Sequence, residues 1–298
     1  MTNPVSRVAD GLTSGSFAGA WALLRGLPEP VARRLFDAGA ELAVVRGGKG
    51  VDRLRSNLAR VAPGEDLTRA AVRSYARYWC EVFRLPSTPL ERLVDSTVTV
   101  REDVMRAAVA APTGTVLALP HTGNWDAAGA WLAGTGVPFT TVAERLKPES
   151  LYDRFVAFRE SLGMEVLPLT GGERPPYDVL TERLEAGGTL CLLADRDLTP
   201  RGVDVSFFGA TARMPAGPAR LALDTGATLV PATLAFTADG WEVVFHEPVP
   251  PTDLATMTQG LATAFERGIA DHPQDWHMLQ RVWLDDLDPD DPRRAPQP

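Results

Sequence analysis

The chain has little cysteine and no long apolar segment. Only Cys80 and Cys191 are cysteines among its 298 residues. Two cysteines are too few for a disulfide framework or a thiolate metal site, so we expect a reduced intracellular protein. The apolar stretch FAGAWALL at 17–24 is followed by Arg25 and by two prolines. It is much shorter than the roughly 20 residues of a membrane-spanning helix and lacks the features of a secretory signal. The sequence therefore predicts a protein that can lie on a membrane without crossing it.

Several familiar catalytic and binding motifs are also missing. The sequence contains no G-x-S-x-G nucleophile motif, no G-x-x-x-x-G-K-[ST] phosphate loop, no G-x-G-x-x-G dinucleotide motif and no H-E-x-x-H zinc motif. His246, His272 and His277 have no metal-ligand spacing with the cysteines or with one another, so we expect no metal site. The formal net charge of -8 argues against nucleic-acid binding, which requires a large basic face.

Charge is unevenly distributed along the chain. Residues 1–60 contain nine basic and five acidic residues, a net charge of +4, so the remaining 238 residues have a net charge of -12. A basic, partly apolar N-terminal region on an acidic body indicates contact with an anionic surface such as a membrane. The apolar residues of 14–45, which include Phe17, Trp21, Leu35 and Leu42, could instead cover a neighbouring core.

The first hundred residues have helical patterns. Two helices are predicted within 14–45, separated at GLPEP (26–30), and others at 51–61 and 65–84. From 113 onward, short apolar runs alternate with helical stretches. The predicted strands are 115–119, 139–143, 165–169, 189–194, 203–208, 228–236 and 241–246, and the predicted helices are 125–134, 149–162, 176–187, 216–225 and 252–270.

Alternating strands and helices predict an α/β fold with a mainly parallel central sheet flanked by helices. TADG at 237–240 predicts a hairpin, so we expect a mixed sheet. The predicted organisation is one domain, 1–298. It comprises a helical, membrane-associating N-terminal layer (1–105), an α/β catalytic core (106–284) and a loose acidic tail (285–298).

His121 and two aspartates follow predicted strands at the sheet edge where ligands bind in open α/β folds. Asn124 is a natural N-cap, and Asp126 then lies in the first helical turn, where it can reach back to His121 or merely suit the helix dipole. Asp195 follows strand 189–194. A carboxylate beside a histidine is the arrangement of a general base, although Asp195, Arg196 and Asp197 could also form a surface charge cluster.

Further charged residues fall near the same edge. Arg159, on helix 149–162, could bind a phosphate or an oxyanion, although a solvated arginine on a helix is commoner. Glu144 and Arg145 follow strand 139–143. FFGATARMPAG at 207–217 could hold phosphate on backbone N–H groups.

Three blocks in order carry a family resemblance. They are HTGNWD at 121–126, AERLKPESLYDRFVAFRESLGMEVLPLTGG at 143–172 and LADRDLTPRGVDVSFFG at 193–209, followed by DWHMLQRVW at 275–283. The chain resembles the lysophospholipid acyltransferase superfamily. Within it, the chain is similar to the bacterial lipid A biosynthesis acyltransferases and, more closely, to the phosphatidylinositol mannoside acyltransferases. The resemblance covers nearly the whole chain and implies a glycerol-3-phosphate acyltransferase-like fold.

The resemblance implies a monomeric peripheral enzyme at the cytoplasmic face of the plasma membrane. Such an enzyme moves a palmitoyl-like chain from acyl-CoA, a donor substrate rather than a cofactor, to the 6-hydroxyl of a mannose in a phosphatidylinositol mannoside. His121 would be the general base and Asp195 its charge-relay partner, and Asp126 would complete the motif. Asn124, Glu144, Arg159 and Arg196 would line the substrate site.

Alternatives remain open at this stage. The family usually has glutamate at the position of Asp195, and the shorter aspartate leaves Asp126 as a rival partner for His121. The acceptor could instead be a lipid A precursor or a lysophospholipid. From a different class, the chain could be a non-catalytic lipid-binding protein that keeps the fold.

Overall fold

The N-terminal part of the chain is a layer of helices. The structure is a computed structural model that describes residues 24–144, 149–197 and 202–294. Helix α1 (Glu29–Arg46) starts after Pro28 in the predicted GLPEP break and is capped at its C-terminus by Gly47, which has a φ of 67°. It is followed by α2 (Lys49–Val61), α3 (Thr68–Arg84) and α4 (Leu90–Asp95), and α1 packs against α3. The prediction for 14–23, including Phe17 and Trp21, lies outside the described residues.

A seven-stranded sheet forms the centre of the fold. Its strands, in chain order, are β1 (Thr97–Val100), β2 (Thr115–Leu119), β3 (Phe139–Ala143), β4 (Met164–Pro168), β5 (Thr189–Leu193), β8 (Thr228–Phe236) and β9 (Trp241–Phe245). Their order across the sheet is β1-β9-β8-β2-β5-β3-β4. Five strands run parallel, whereas β9 is antiparallel to β8 through the predicted hairpin and β1 is parallel to β9. The predicted mixed, mainly parallel α/β sheet is confirmed.

Two short strands depart from the sequence predictions. β1 belongs to the sheet, so the prediction that the first hundred residues are helical is wrong for 97–100. The strand predicted at 203–208 is not part of the main sheet, because β6 (Val203–Phe207) pairs with β7 (Ala210–Met214) in a separate antiparallel hairpin.

That hairpin also corrects the phosphate-loop interpretation of 207–217. Phe208 and Gly209 form its turn, with φ values of 47° and 74°. Arg213 lies on β7, is buried, and its Nε donates to Asp204 Oδ1 at 2.6 Å. The stretch is therefore strand and turn up to Met214, and its arginine is held within the hairpin.

Helices cover both faces of the sheet, and the sheet separates two apolar cores. The remaining helices are α5 (Glu102–Val109), α6 (Trp125–Gly134), α7 (Glu149–Ser161), α8 (Pro176–Glu185), α9 (Gly217–Thr225) and α10 (Leu254–Asp271). Side chains of β2 alternate between the cores: Val116 packs with α8, α9 and α10, whereas Leu117 packs with α4 to α7. Successive residues that enter opposite cores in this way are typical of a strand that is buried on both faces.

The C-terminal segment packs more closely than predicted. Trp283 is fully buried, and its Nε1 donates to the Phe207 carbonyl at 2.7 Å. Leu287, inside the predicted loose tail, is also buried, and Arg294 donates to its carbonyl at 3.2 Å. Residues 295–298 lie outside the described residues. The described part of the tail is therefore anchored on the hairpin side of the fold.

Candidate active site

The register of two neighbouring strands brings His121 and Asp195 together. Leu119, the last residue of β2, pairs with Leu193, the last residue of β5, and each functional residue lies two positions farther along its chain. The Ala194 N–H continues the pairing by donating to the Leu119 carbonyl at 2.8 Å. Both side chains therefore lie at the carboxyl edge of the sheet, as the sequence predicts.

His121 and Asp195 form a close, directional pair. The His121 Nδ1 lies 2.5 Å from Asp195 Oδ1, and the His121 backbone N–H donates to Oδ2 at 2.9 Å. Trp276 Nε1 also donates to Oδ2 at 2.9 Å. Asp195 is fully buried, which rules out the surface-cluster interpretation for this residue. An ionised carboxylate can only accept hydrogen bonds, so the close contact with Asp195 requires a proton on Nδ1 of His121. Nε2 of the neutral ring then presents its lone pair to the site.

The surroundings keep Asp195 ionised. Burial alone raises its pKa, but the charge of His121, the two hydrogen bonds from His121 and the bond from Trp276 outweigh burial and hold the pKa below its ordinary value. An ionised carboxylate at Nδ1 fixes the tautomer of the imidazole and stabilises the imidazolium form. His121 keeps some exposure, 17% of its side chain, as a general base requires.

Asp126 has different partners from those first considered. Its Oδ1 accepts from Arg159 Nε at 2.7 Å and its Oδ2 accepts from the Tyr78 hydroxyl at 3.1 Å. No hydrogen bond joins Asp126 to His121 among the described residues. Asp126 is therefore neither a free charge in the first turn of α6 nor the partner of the imidazole. It anchors Arg159 and Tyr78 in the wall of the site.

Burial and charge perturb both partners of Asp126. Burial lowers the pKa of Arg159, but the adjacent Asp126 carboxylate more than offsets this, so the pKa of Arg159 lies above its ordinary value. Burial and the same carboxylate raise the pKa of Tyr78 well above its usual range. Arg159 is therefore a permanent cation and Tyr78 a neutral hydroxyl at this point of the site.

Asn124 caps a helix. Its Oδ1 accepts from the Ala127 N–H at 3.0 Å, and its Nδ2 donates to Glu81 at 2.8 Å. Glu81 also accepts from Arg77 and from Trp241 Nε1, each at 2.7 Å. Asn124 is buried and its side chain does not line the adjoining cavity. The structure therefore places it behind the site, where it fixes the start of α6.

Glu144 and Arg196 lie at the entrance of the site. Arg196 approaches Glu144 at 3.7 Å, and both line the cavity described below. Arg145, which follows Glu144, lies outside the described residues. The entrance therefore combines one exposed carboxylate with one partly exposed guanidinium.

A segment near the C-terminus completes the site. Thr122 and Trp276 form an antiparallel bridge, the His277 N–H donates to the His121 carbonyl at 2.8 Å, and the Gly123 N–H donates to the Asp275 carbonyl at 2.9 Å. Trp276 and His277 were not assigned to the site from sequence. The sequence offered one indication of their role, the DWHMLQRVW block of the family resemblance. His277 within it was considered only as a metal ligand, for which its spacing is unsuitable.

A large apolar cavity opens beside His121. Its volume is about 1070 Å³, just above the range of roughly 300 to 1,000 Å³ for small-molecule sites. It lies between one face of the sheet and helices α6 and α7. Ala143 and Leu193 mark the carboxyl edge of the sheet, and Phe139 and Met164 mark the opposite edge, at the start of β3 and β4. The cavity thus extends inward from the imidazole along the strands.

Two further structural findings concern metals and membranes. No cluster of three or more His, Cys, Asp and Glu side chains that could hold a metal ion occurs among residues 24–144, 149–197 and 202–294. In the same described residues, no helix combines the length and the apolar character needed to span a bilayer.

Comparison with known proteins places the chain among acyltransferases. The model of the bacterial lipid A biosynthesis acyltransferase family matches residues 13–285. A phosphatidylinositol mannoside acyltransferase of Mycolicibacterium smegmatis is 52% identical over 292 residues, covering 95% of each chain. One from Mycobacterium tuberculosis is 50% identical over 296 residues, covering 96% of this chain and 93% of the relative.

Among solved structures, the 1-acyl-sn-glycerophosphate acyltransferase of Thermotoga maritima superposes with a TM-score of 0.40 and 12% identity. That comparison covers 84% of this chain and 99% of the solved one.

Proposed function

The chain belongs to the bacterial lipid A biosynthesis acyltransferase family, and we propose that it moves a long acyl chain from acyl-CoA to the 6-hydroxyl of a mannose in phosphatidylinositol mannosides. The acceptor is proposed from relatives that carry this activity in their names and are 50–52% identical over nearly the whole chain. The observation that carries the chemistry is the His121–Asp195 pair at the mouth of a long apolar cavity.

His121 acts as the general base in this proposal. Its Nε2 accepts the proton of the sugar hydroxyl as that oxygen attacks the thioester carbonyl carbon. The C–S bond then breaks, and the imidazolium returns the proton to the CoA thiolate. Asp195 holds the tautomer and stabilises the transient cation. A positioned base of this kind contributes on the order of 10²- to 10⁴-fold to the rate.

The negative charge on the thioester oxygen needs a donor. Arg159 lines the cavity and is held by Asp126 through its Nε at 2.7 Å. We assign Arg159, or backbone N–H groups near it, to this role, which contributes on the order of 10²- to 10³-fold. Asp126 then serves as a positioning residue for the guanidinium.

The apolar cavity suits the acyl chain. Burial of each methylene contributes about 0.8 kcal/mol, so a chain of palmitoyl size gains enough from burial to bind. At the inner edge, a Cβ on Gly129 would lie 2.9 Å from Met164 Cε and 3.1 Å from Phe139 Cζ. Gly129 therefore lets α6 pack closely against Phe139 and Met164, and a larger side chain at this position would displace those two side chains at the inner end of the cavity. At the entrance, Arg196 and Arg220 supply positive charge for the phosphates of CoA.

The outer surface of α1 fits a membrane-docking role at the cytoplasmic face of the plasma membrane. Val31, Leu35, Leu42 and Val45 are exposed at spacings that place them on one helical face. Basic residues that are also exposed flank this stripe, namely Arg34, Arg46 and Lys49. Apolar side chains beside basic ones are typical of helices that lie in an anionic lipid interface.

The activity can be tested with purified protein and labelled palmitoyl-CoA. Phosphatidylinositol monomannoside, a lysophospholipid and a lipid A precursor are offered as acceptors in separate reactions. We expect transfer to the mannoside and a loss of at least about 100-fold in His121→Ala. His272→Ala is the matched control, because His272 is partly exposed, lies 3.5 Å from Glu242 and is outside the cavity. Preferred transfer to another acceptor contradicts the proposed substrate, and full activity in His121→Ala contradicts the base.

A further inference from the structure

The chain segment around Trp276 contacts both members of the catalytic pair, and the mechanism above gives it no role. Its backbone pairs with the loop that carries the base, since Thr122 and Trp276 form an antiparallel bridge. The His277 N–H also donates to the His121 carbonyl at 2.8 Å. The indole of Trp276 reaches the other member, because its Nε1 donates to Asp195 Oδ2 at 2.9 Å. One short segment therefore holds the loop of the base and the carboxylate at the same time.

The hydrogen bonds to Asp195 have two origins. Two of them come from His121, through its backbone N–H and its Nδ1. Both of these donors move with His121, so they orient the pair internally but do not fix it to the rest of the fold. Among the described residues, Trp276 supplies the only hydrogen bond to the carboxylate from another part of the chain. The plane of the carboxylate relative to the sheet therefore depends on the indole N–H.

Trp276 is a rigid donor. Its side chain is fully buried. The ring lies with its centroid 5.8 Å from that of Phe207 and 6.0 Å from that of Trp283, edge to face in both cases. A ring that is packed in this way cannot turn to follow a displaced carboxylate. The N–H of Trp276 therefore points in one direction, toward Oδ2 of Asp195.

The segment is also anchored before and after Trp276. Ser74, on α3, donates its hydroxyl to Asp275 Oδ1 at 2.6 Å. Asn57, on α2, donates its Nδ2 to the carbonyls of Met278 and Gln280, each at 2.8 Å. Two helices of the N-terminal layer thus hold the segment in place behind the site.

Loss of the indole N–H cannot be repaired by solvent. Asp195 is fully buried, so bulk water does not reach Oδ2 to replace the donor. Hydrogen bonds to an ionised group are roughly twice as strong as those between neutral groups. A displacement of about 1 Å in a catalytic group lowers the rate on the order of 100-fold. The position of the carboxylate therefore has a direct consequence for the base that it holds.

We propose that Trp276 is a positioning residue for acyl transfer. Its indole holds the Asp195 carboxylate and its backbone holds the loop of His121, so that Nε2 of the imidazole faces the mouth of the cavity. This inference rests on the proposed function, in which His121 is the base. Trp276 does not line the cavity and touches no substrate. Its effect belongs in kcat rather than in the KM for acyl-CoA, because the walls of the cavity bind the acyl chain.

The sharpest test removes the indole N–H and keeps the shape of the ring. Trp276 is replaced by β-(3-benzothienyl)alanine, which has sulfur in place of the N–H, through stop-codon suppression at this position. We expect kcat for palmitoyl transfer to the mannoside to fall about 10- to 100-fold, the effect of one hydrogen bond to a charged group. The KM for palmitoyl-CoA should stay within about twofold of wild type. Trp276→Phe should change kcat in the same direction.

Trp283→Phe is the matched control. Trp283 is also fully buried and packs against Trp276, but its Nε1 donates to the Phe207 carbonyl at 2.7 Å. This variant loses the same kind of buried hydrogen bond without affecting the partners of Asp195. It should lower the Tm as Trp276→Phe does, and its kcat should stay within about threefold of wild type.

NMR of the imidazole gives a readout that loss of packing alone does not change. The Nδ1 proton of His121 lies between two atoms 2.5 Å apart, so its signal should be far downfield. We expect this signal to shift in both Trp276 variants, because the carboxylate is no longer held, and to remain as in wild type in Trp283→Phe.

Wild-type kcat in the benzothienylalanine variant, or an unmoved signal of the His121 Nδ1 proton, would overturn the inference. Equal losses of kcat in Trp283→Phe and Trp276→Phe, with equal shifts of that signal, would assign the effect to packing and overturn it as well. If the wild-type protein acylates no mannoside, the proposed function fails. The NMR comparison needs no acceptor, so it then decides the role of Trp276 by itself.

Discussion

Replacing Asp195 by asparagine should change the tautomer of His121. Asp195 Oδ2 accepts two N–H groups of fixed direction, from the His121 backbone and from Trp276, whereas Oδ1 accepts only from Nδ1 of the imidazole. An asparagine side chain has one oxygen and one amide nitrogen. Its oxygen best occupies the Oδ2 position, because the two fixed donors cannot turn away. The amide nitrogen then faces Nδ1 and donates to it.

This reversal places the imidazole proton on Nε2. A protonated Nε2 cannot accept the proton of the attacking hydroxyl, so we expect kcat to fall on the order of 10³- to 10⁴-fold, the size of effect known for a wrong tautomer in a histidine–aspartate pair. The fold should survive, since asparagine has nearly the same shape, keeps two of the three hydrogen bonds of the buried carboxylate and reverses the direction of the third. The free energy of unfolding should decrease by about 1–3 kcal/mol.

Two measurements check this reasoning. Steady-state acyl transfer gives kcat, and ¹⁵N NMR of the imidazole reports which nitrogen of His121 carries the proton. Asp126→Asn is the comparison, because Asp126 bonds Arg159 and Tyr78 rather than His121. In this variant the tautomer of His121 should remain as in wild type. A folded Asp195→Asn protein with activity within tenfold of wild type, or with the proton still on Nδ1, would refute the assignment.

Other expectations concern the cavity, acid stability and the membrane surface. Gly129→Leu should lower activity with palmitoyl-CoA by about tenfold or more while octanoyl-CoA is still used, since each excluded methylene costs about 0.8 kcal/mol; an unchanged chain-length profile would contradict the placement of the acyl chain. Burial holds the pKa of His277 near 3, so the unfolded state binds this proton more readily below its ordinary pKa of about 6.5. The free energy of unfolding should fall by about 2 kcal/mol from pH 6.5 to 4.5 through this residue. Urea denaturation should give a flatter pH dependence in His277→Gln, and an equal slope would count against the buried neutral ring. Leu35→Glu with Leu42→Glu should weaken sedimentation with anionic vesicles more than Arg33→Gln, because Arg33 already pairs within the protein; equal losses would argue against docking by the apolar stripe.

Local patterns predicted most of the elements. The strands 115–119, 139–143 and 228–236 and the helix 125–134 have the predicted bounds, because a continuous apolar run between turn residues and a helix start with an N-cap are local signals. β1 was missed because TVTV at 97–100 is too short to stand out without its partner β9. The phosphate-loop interpretation of 207–217 failed because a glycine-rich hairpin turn and an anion-binding loop look alike in sequence.

Part of the site could likewise be read from the chain. His121 and Asp195 both follow strands, and parallel strands end at one edge, so their proximity was predictable. The sequence could not decide which carboxylate contacts the imidazole, because Asp126 is closer to His121 in the chain and suits the same role. Asn124 was correctly expected to be a cap, but its burial behind the site depends on Glu81, 43 residues away.

The sequence by itself determined the helices, the strands, the order in which they alternate, and the edge at which the chemistry lies, since each depends on neighbouring residues and on strand direction. Only the tertiary structure decided the pairing of His121 with Asp195, the binding of Asp126 to Arg159 and the position of His277. These contacts join residues 33 to 156 positions apart in the chain. Their geometry is set by strand register and packing, which no local pattern encodes.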